Sequence, residues 1–200
     1  SPADFNMACI LRMDSCGWVI RSSKPVIAID YAWAVRDGSG GSVSVPKTGQ
    51  VVSYGSGDDG DLEAGVSWPS ARFIDHGDGT VTDNLTGLVW EESPSTAKKT
   101  WADALVYAND LELGEYSDWR LANRNELWSL VNYGSWDNTI WLIGEGFRNV
   151  QSDSYWTSTT YPADTDKAWV IYMISGNTVS SVSDKTSAGN CAWAVRGGPL

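Results

Sequence analysis

Two nearly identical octapeptides, YAWAVRDG and CAWAVRGG, stand near opposite ends of the chain, at Tyr31–Gly38 and Cys191–Gly198. They belong to a longer internal repeat, because Ser1–Gly38 aligns without a gap with Tyr161–Gly198, 160 positions further on. Of the 38 aligned residues 15 are identical, whereas chance would give about two or three. The sequence therefore predicts that the chain opens inside one repeat and goes on to a complete one.

The repeat divides the 200 residues into three predicted parts. Residues 1–38 are the C-terminal part of a first repeat, residues 39–67 are a linker that begins with small and polar side chains, and residues 68–200 are a complete module. Only the complete module is long enough to bury its own core. The 12 Trp and 20 Gly residues are typical of a loop-rich globular fold held by large aromatic side chains.

Charge and composition exclude several classes of function. The formal net charge of −11 opposes binding to nucleic acid or to anionic lipid. No stretch approaches the roughly 20 apolar residues that span a bilayer, so we expect no membrane insertion. Cys9, Cys16 and Cys191 form no CxxC motif and no cluster with metal-ligand spacing, which makes zinc an improbable cofactor.

The pattern of turns, caps and apolar residues predicts an α+β fold. Thr100 with Asp103, and Asn123 with Glu126, are N-terminal capping patterns ahead of two amphipathic helices. Short antiparallel strands are expected on both sides of these helices. Their predicted positions are 73–74, 80–82, 88–90, 155–158, 168–174, 178–182 and 191–196.

Five motifs in this order carry a resemblance: GDGTVTDNLTGLVW, SDWRLANRNEL, YWTSTT, AWVIYM and AWAVRGG. They resemble the Lcl C-terminal domain family, the C-terminal domains of collagen-like bacterial adhesins. More distantly, WRLANRNEL and YWTSTT look like elements of the formylglycine-generating enzyme and of diversified phage tropism proteins. The resemblance implies a C-type-lectin-like fold and a secreted or surface-displayed binding module, often found in tandem.

The same motifs also have a structural interpretation. Trp90, Trp119, Trp156 and Trp193 are expected in the core. Arg120 and Glu126 are expected to form an ion pair that supports the fold. In the AWAVR segment, Trp and Val alternate with Ala, which predicts a strand with one inward face and Arg196 closing an edge.

We expect no enzyme activity. His76, the only histidine, lies in the turn sequence DHGDG, and no Ser/His/Asp or Cys/His set can be completed around it. Cys191 aligns with Tyr31 of the first repeat, which makes it a poor candidate for a nucleophile.

Calcium is the one cofactor that the sequence leaves open. Asp58, Asp59 and Asp61 place three carboxylates within four positions, and Ca²⁺ prefers such oxygen ligands. The segment lacks the spacing and the distal Glu of an EF-hand, so a solvated acidic turn is the alternative.

The resemblance also suggests where a ligand would bind. In the diversified relatives, the ligand face consists of the strand pair and the loop before the final strand. The predicted ligand surface comprises Tyr172, Asn177, Ser180, Asp184, Lys185 and Asn190, with Arg12, Trp18, Arg21 and Ile27 as first-repeat counterparts. The alternative, that these residues belong to surface loops without a ligand, explains the same positions equally well.

Two functions remain open at this point. The first is adhesion to a glycan or a protein, and here a sulfated glycan would need a basic patch, for which Lys98 and Lys99 are the only adjacent basic pair. The second is a structural subunit of an extracellular filament or stalk. In that case residues 1–38 would complete a neighbouring chain head to tail, unless the missing half of that repeat lies upstream in the same chain.

Overall fold

The computed structural model describes residues 45–174 and 180–197, together with the backbone of residues 7–12 and 18–23. These parts form an α+β structure, which confirms the predicted class. A C-type-lectin-like fold remains a prediction. The elements are β1 (Met7–Arg12), β2 (Trp18–Ser23), α1 (Asp59–Leu62), β3 (Phe73–Asp75), β4 (Thr80–Asp83), β5 (Leu88–Glu91), β6 (Ser95–Lys99), α2 (Trp101–Asn109), β7 (Arg120–Leu121), α3 (Arg124–Ser129), α4 (Asn138–Gly144), β8 (Ser154–Thr160), β9 (Lys167–Tyr172), β10 (Ser180–Asp184), β11 (Asn190–Ala192) and β12 (Ala194–Gly197).

Two five-stranded sheets build the module, and one short stretch of chain belongs to both. The strand orders are β10-β9-β8-β11-β6 and β3-β4-β5-β12-β7. β11 and β12 are consecutive, with only Trp193 between them. β11 runs parallel to β8, with Cys191 opposite Tyr155, whereas β12 runs antiparallel to β5 and β7. The expectation of antiparallel strands therefore fails at one pair, β8 with β11.

Side-chain alternation along this shared stretch supplies both cores. Cys191, Trp193 and Val195 pack into the larger core, while Ala192 and Ala194 pack into the smaller one. All five are fully buried. The prediction of a single inward face is wrong, because these strands are central and are covered on both faces.

The four tryptophans expected in the core are all buried, so that prediction is confirmed. Trp90 and Trp193 meet edge to face in the larger core, with ring centroids 5.8 Å apart. Trp119 and Trp156 lie in the smaller core. The core is thus built around indole rings on several elements.

Both predicted helix starts are present. Thr100 caps α2 by accepting a hydrogen bond from Asp103 N at 3.2 Å. Asn123 and Glu126 form a complete capping box at the start of α3. Both terminal guanidinium nitrogens of Arg120 donate hydrogen bonds to the Glu126 carboxylate, at 2.6 and 2.7 Å. The predicted ion pair between these two residues is therefore confirmed.

Sequence reasoning missed four elements, α1, α4, β6 and β7, of which β7 is only two residues long. α1 is a single turn. α4 begins after Asp137, whose carboxylate accepts hydrogen bonds from the amides of Thr139 and Ile140. This Asp before an apolar run is a start signal that the sequence does contain. β6 has the polar sequence STAKK, which offers no hydrophobic alternation to detect.

Residues 45–67 contact the module although this part was predicted as linker. Trp68 Nε1 donates to the carbonyl oxygen of Lys47 at 2.8 Å, and Tyr133 N donates to that of Thr48 at 2.9 Å. Gly49 has φ +93°, and a Cβ there would lie 2.2 Å from the Asn132 side chain. This close approach requires glycine. The domain boundaries themselves remain predictions.

Two strands of the first-repeat segment pair at the positions that the repeat indicates. β1 and β2 pair antiparallel as a separate two-stranded sheet. At an offset of 160, β1 corresponds residue for residue to β9, and β2 overlaps β10. The pairing differs by one position, since Ile10 faces Ile20 whereas Val170 faces Ser181.

We predict that Trp193→Ala lowers the free energy of unfolding by about 3–5 kcal/mol, because it leaves a cavity where both sheets meet. Urea denaturation followed by fluorescence measures the change. Trp136→Ala is the matched control, since Trp136 is 70% exposed, and its effect should stay within about 0.5 kcal/mol. Equal losses for the two variants would contradict this description of the core.

Candidate binding surface

The predicted ligand residues of the complete module lie mostly along the β9–β10 hairpin, but at its two ends. Tyr172 ends β9, and Ser180 begins β10 opposite Ile171. Asp184 ends β10 opposite Lys167. These two ends are four strand residues apart, or about 13 Å.

At the Asp184 end, four charged side chains and one hydroxyl group form what we call the hairpin-end cluster: Asp164, Lys167, Asp184, Lys185 and Thr160. Lys167 Nζ lies 2.6 Å from an Asp164 carboxylate oxygen and 3.8 Å from one of Asp184. The hydrogen bond from Lys167 lowers the pKa of Asp164. Asp184 remains 68% exposed, so its carboxylate is available to a ligand.

Lys185 is held in place by two contacts within this cluster and its surroundings. Its Nζ donates to Thr160 Oγ1 at 2.9 Å and lies 4.1 Å from the centroid of the Trp101 ring. Trp101 is fixed in turn, because its Nε1 donates to the Thr157 carbonyl oxygen at 2.9 Å. The ammonium group is therefore oriented by the fold before any ligand arrives.

The other predicted ligand residues have different surroundings. Asn190 begins β11 and is only 6% exposed, so its side chain lies beneath the surface. Arg12 lies on β1, and Trp18 and Arg21 lie on β2. Asn177 and Ile27 lie outside the described residues.

Four residues around the hairpin-end cluster were not predicted: Trp101, Thr160, Asp164 and Lys167. They come from α2, β8, β9 and the turn before β9. Only Asp164 and Lys167 had a local sequence signal, as opposite charges three positions apart. Nothing local in the sequence reveals the contact of Trp101 with Lys185.

Every Lys and Arg in residues 45–174 and 180–197 already has a partner. Seven form ion pairs with carboxylates: Lys47, Arg72, Lys98, Arg120, Arg148, Lys167 and Arg196. The other three, Lys99, Arg124 and Lys185, lie over aromatic rings. The adjacent pair Lys98 and Lys99 is thus turned toward Asp153 and the Tyr107 ring.

The residues considered for catalysis have structural contacts. His76 Nε2 lies 2.8 Å from Thr82 Oγ1 in an exposed turn. Cys191 is buried, and burial raises the pKa of its thiol, which disfavours the reactive thiolate.

The acidic segment before and within α1 organises its own backbone. Asp58 caps the helix and accepts hydrogen bonds from Tyr54 N and Asp61 N, at 2.7 and 2.9 Å. Asp61 accepts from Gly57 N, and Asp59 accepts from the Thr48 hydroxyl. Within the described part of the chain, no three His, Cys, Asp or Glu side chains are grouped to hold a metal ion. Calcium binding stays a prediction, which calorimetric titration tests.

One buried carboxylate lies where the two sheets join. Glu91 ends β5 and is 5% exposed. Its Oε2 accepts from Ala194 N at 3.3 Å, and its Oε1 accepts from the Tyr107 hydroxyl. Burial raises the pKa of Glu91 to about 7, against the opposing effects of these two hydrogen bonds and of nearby Lys99.

These features define an α+β module of two sheets with a charged cluster at the end of one hairpin. Residues 79–196 match the family model of the Lcl C-terminal domain. The chain belongs to this family. Neither a curated protein nor a solved structure shows significant similarity to it. Among the described helices, none is long and apolar enough to cross a membrane.

We predict that the stability conferred by Glu91 depends on pH. The folded state favours the protonated carboxyl of Glu91. The contribution of this group to the free energy of unfolding is therefore fully present below pH 4.5 and is lost as pH rises through about 7. Glu91→Gln mimics the neutral form. The variant should therefore gain stability relative to the natural chain between pH 5 and 8, by up to about 3 kcal/mol.

Urea denaturation of both chains across this range measures the difference. Glu126→Gln serves as a control, since Glu126 is an ion-paired carboxylate rather than one with a raised pKa. A constant difference between the natural chain and Glu91→Gln from pH 5 to 8 would contradict the assignment.

Proposed function

We propose that this chain is a non-catalytic binding and adhesion module of a secreted or surface-displayed tandem-repeat protein. Membership of the Lcl C-terminal domain family supports a surface adhesin-like role. The internal repeat supports the tandem arrangement. The buried Cys191 and the hydrogen-bonded His76 favour binding over catalysis.

The observation that carries the proposal is the hairpin-end cluster. It presents an exposed carboxylate, an oriented ammonium group and a hydroxyl on strands that are anchored in the sheet. Fixed donors and acceptors on a rigid scaffold suit a ligand with many hydroxyl groups, because little ordering is needed on binding.

The paired cations favour a neutral glycan. Sulfated chains bind through unneutralised Lys and Arg, and seven of the ten in residues 45–174 and 180–197 are already paired with carboxylates. The net charge of −11 adds long-range repulsion. A protein ligand is the next candidate, since polar clusters of this kind also occur in protein interfaces.

A glycan array of neutral, sialylated and sulfated chains tests this directly with the full chain. We expect neutral glycans to bind best, and Asp184→Asn and Lys185→Gln each to weaken binding about tenfold, the loss of one good hydrogen bond to a charged group. Asp118→Asn is the matched control, because it also breaks an exposed Asp ion pair, the one with Arg196.

Tyr172→Ala, at the opposite end of the hairpin, decides where the ligand lies. If only Tyr172→Ala weakens binding, the surface is the other hairpin end and the cluster is structural. Preference for highly sulfated chains would contradict the proposed glycan class, and binding to none of the glycans would favour a protein ligand.

The second candidate function, a structural subunit of a filament or stalk, is favoured by a different surface. Trp136, Ile140 and Ile143 are all at least half exposed at α4, and exposed apolar groups of this kind mark protein contacts. A second copy of the chain would be the partner. Electron microscopy of the purified chain at rising concentration tests this, with filaments expected for a subunit and single particles for an adhesion module.

A further inference from the structure

The sheet that carries the hairpin-end cluster has two edge strands, β10 and β6. β6 ends in Lys98 and Lys99, and edge lysines discourage further strand pairing. β10 has the sequence SSVSD, without Pro and without charge before Asp184. Of the two edges, β10 is the one with less protection against pairing with another strand.

The outward hydrogen-bonding groups of β10 follow from its register. Lys185 N donates to the Asp166 carbonyl oxygen at 2.8 Å, so this amide points toward β9. In an antiparallel pair, successive residues alternate between pointing toward and away from the partner. The amides of Val182 and Asp184 therefore point away from β9, toward the open side of the edge.

One strand of the first repeat lies close to this edge strand. β2 approaches β10, with Cα atoms of the two strands within 8 Å of each other. β2 is the part of the first repeat that aligns with β10. Ser1–Gly38 carries four basic and four acidic residues, so the whole net charge of −11 belongs to the rest of the chain. A neutral segment can approach this acidic module without net repulsion.

We propose that the β10 edge is a docking site for the corresponding edge strand of another repeat, and that β2 occupies it in this chain. Because both partners use the same strand of the repeat, the contact is self-complementary. Two repeats that pair in this way leave no β10-type edge free for a third repeat. The contact joins repeats in pairs and does not propagate into a fibre.

Amide hydrogen exchange of the full chain tests the docking. We expect Val182 and Asp184 to exchange at least about tenfold faster in Ile20→Pro, which disrupts β2, than in the natural chain. Val170 in β9 should stay protected in both, which shows that the module remains folded. Thr96→Pro, on the β6 edge, is the matched control and should leave Val182 and Asp184 unchanged.

The proposal is overturned if Val182 and Asp184 exchange equally fast in both chains while β2 loses its own protection. If β2 keeps its protection in Ile20→Pro, the docking is tested with Val182→Pro, which alters β10 instead of β2. This substitution removes one outward amide of β10 and no hydrogen bond to β9. The amides of β2 must then exchange faster, and unchanged rates overturn the proposal.

Light scattering tests the closure. Ile20→Pro frees the β10 edge, so this variant should form dimers at high concentration, and adding Val182→Pro should restore monomers. Species larger than dimers that grow with concentration would overturn the self-complementary arrangement.

Discussion

The segment from Asn190 to Gly197 is the part of the chain on which the rest of the module depends. It enters both five-stranded sheets at a central position in each, and Trp193 lies at the point of transfer. Trp193 Nε1 donates to the Glu91 carbonyl oxygen at 2.8 Å, and the Glu91 carboxylate accepts a hydrogen bond from Ala194 N. The backbone and the side chain of Glu91 therefore connect β5 to the transfer residue and to the first residue of β12.

The sequence predicted this segment well because its signal is strong and local. Alternation of large and small residues predicts a strand, and the capping patterns at Thr100 and Asn123 predict helices.

That both faces of the final strand are buried could not be foreseen. Alternation normally separates an inside from an outside, whereas here it separates Trp and Val in one core from Ala in another.

The candidate surface was predictable only in part. Asp184 and Lys185 were included through the resemblance alone, and their role in binding stays a prediction. Trp101 and Thr160 were not, since they reach Lys185 from distant parts of the chain and no local spacing encodes such a contact. Asn190 shows the opposite case, because a polar residue in a predicted loop is buried at the start of a strand. Pairing between strands decides exposure, and one sequence does not specify it.

The shared final segment has a mechanical consequence. β12 lies between β5 and β7 and pairs with both, so tension applied along the chain beyond Gly197 acts parallel to those strands. The backbone hydrogen bonds on both sides of β12 are then loaded in shear, all at once, and cannot open one after another as in a peeled edge strand. The same tension reaches β8 and β6 through Trp193 and β11. A module pulled from this end would resist extension with both sheets together.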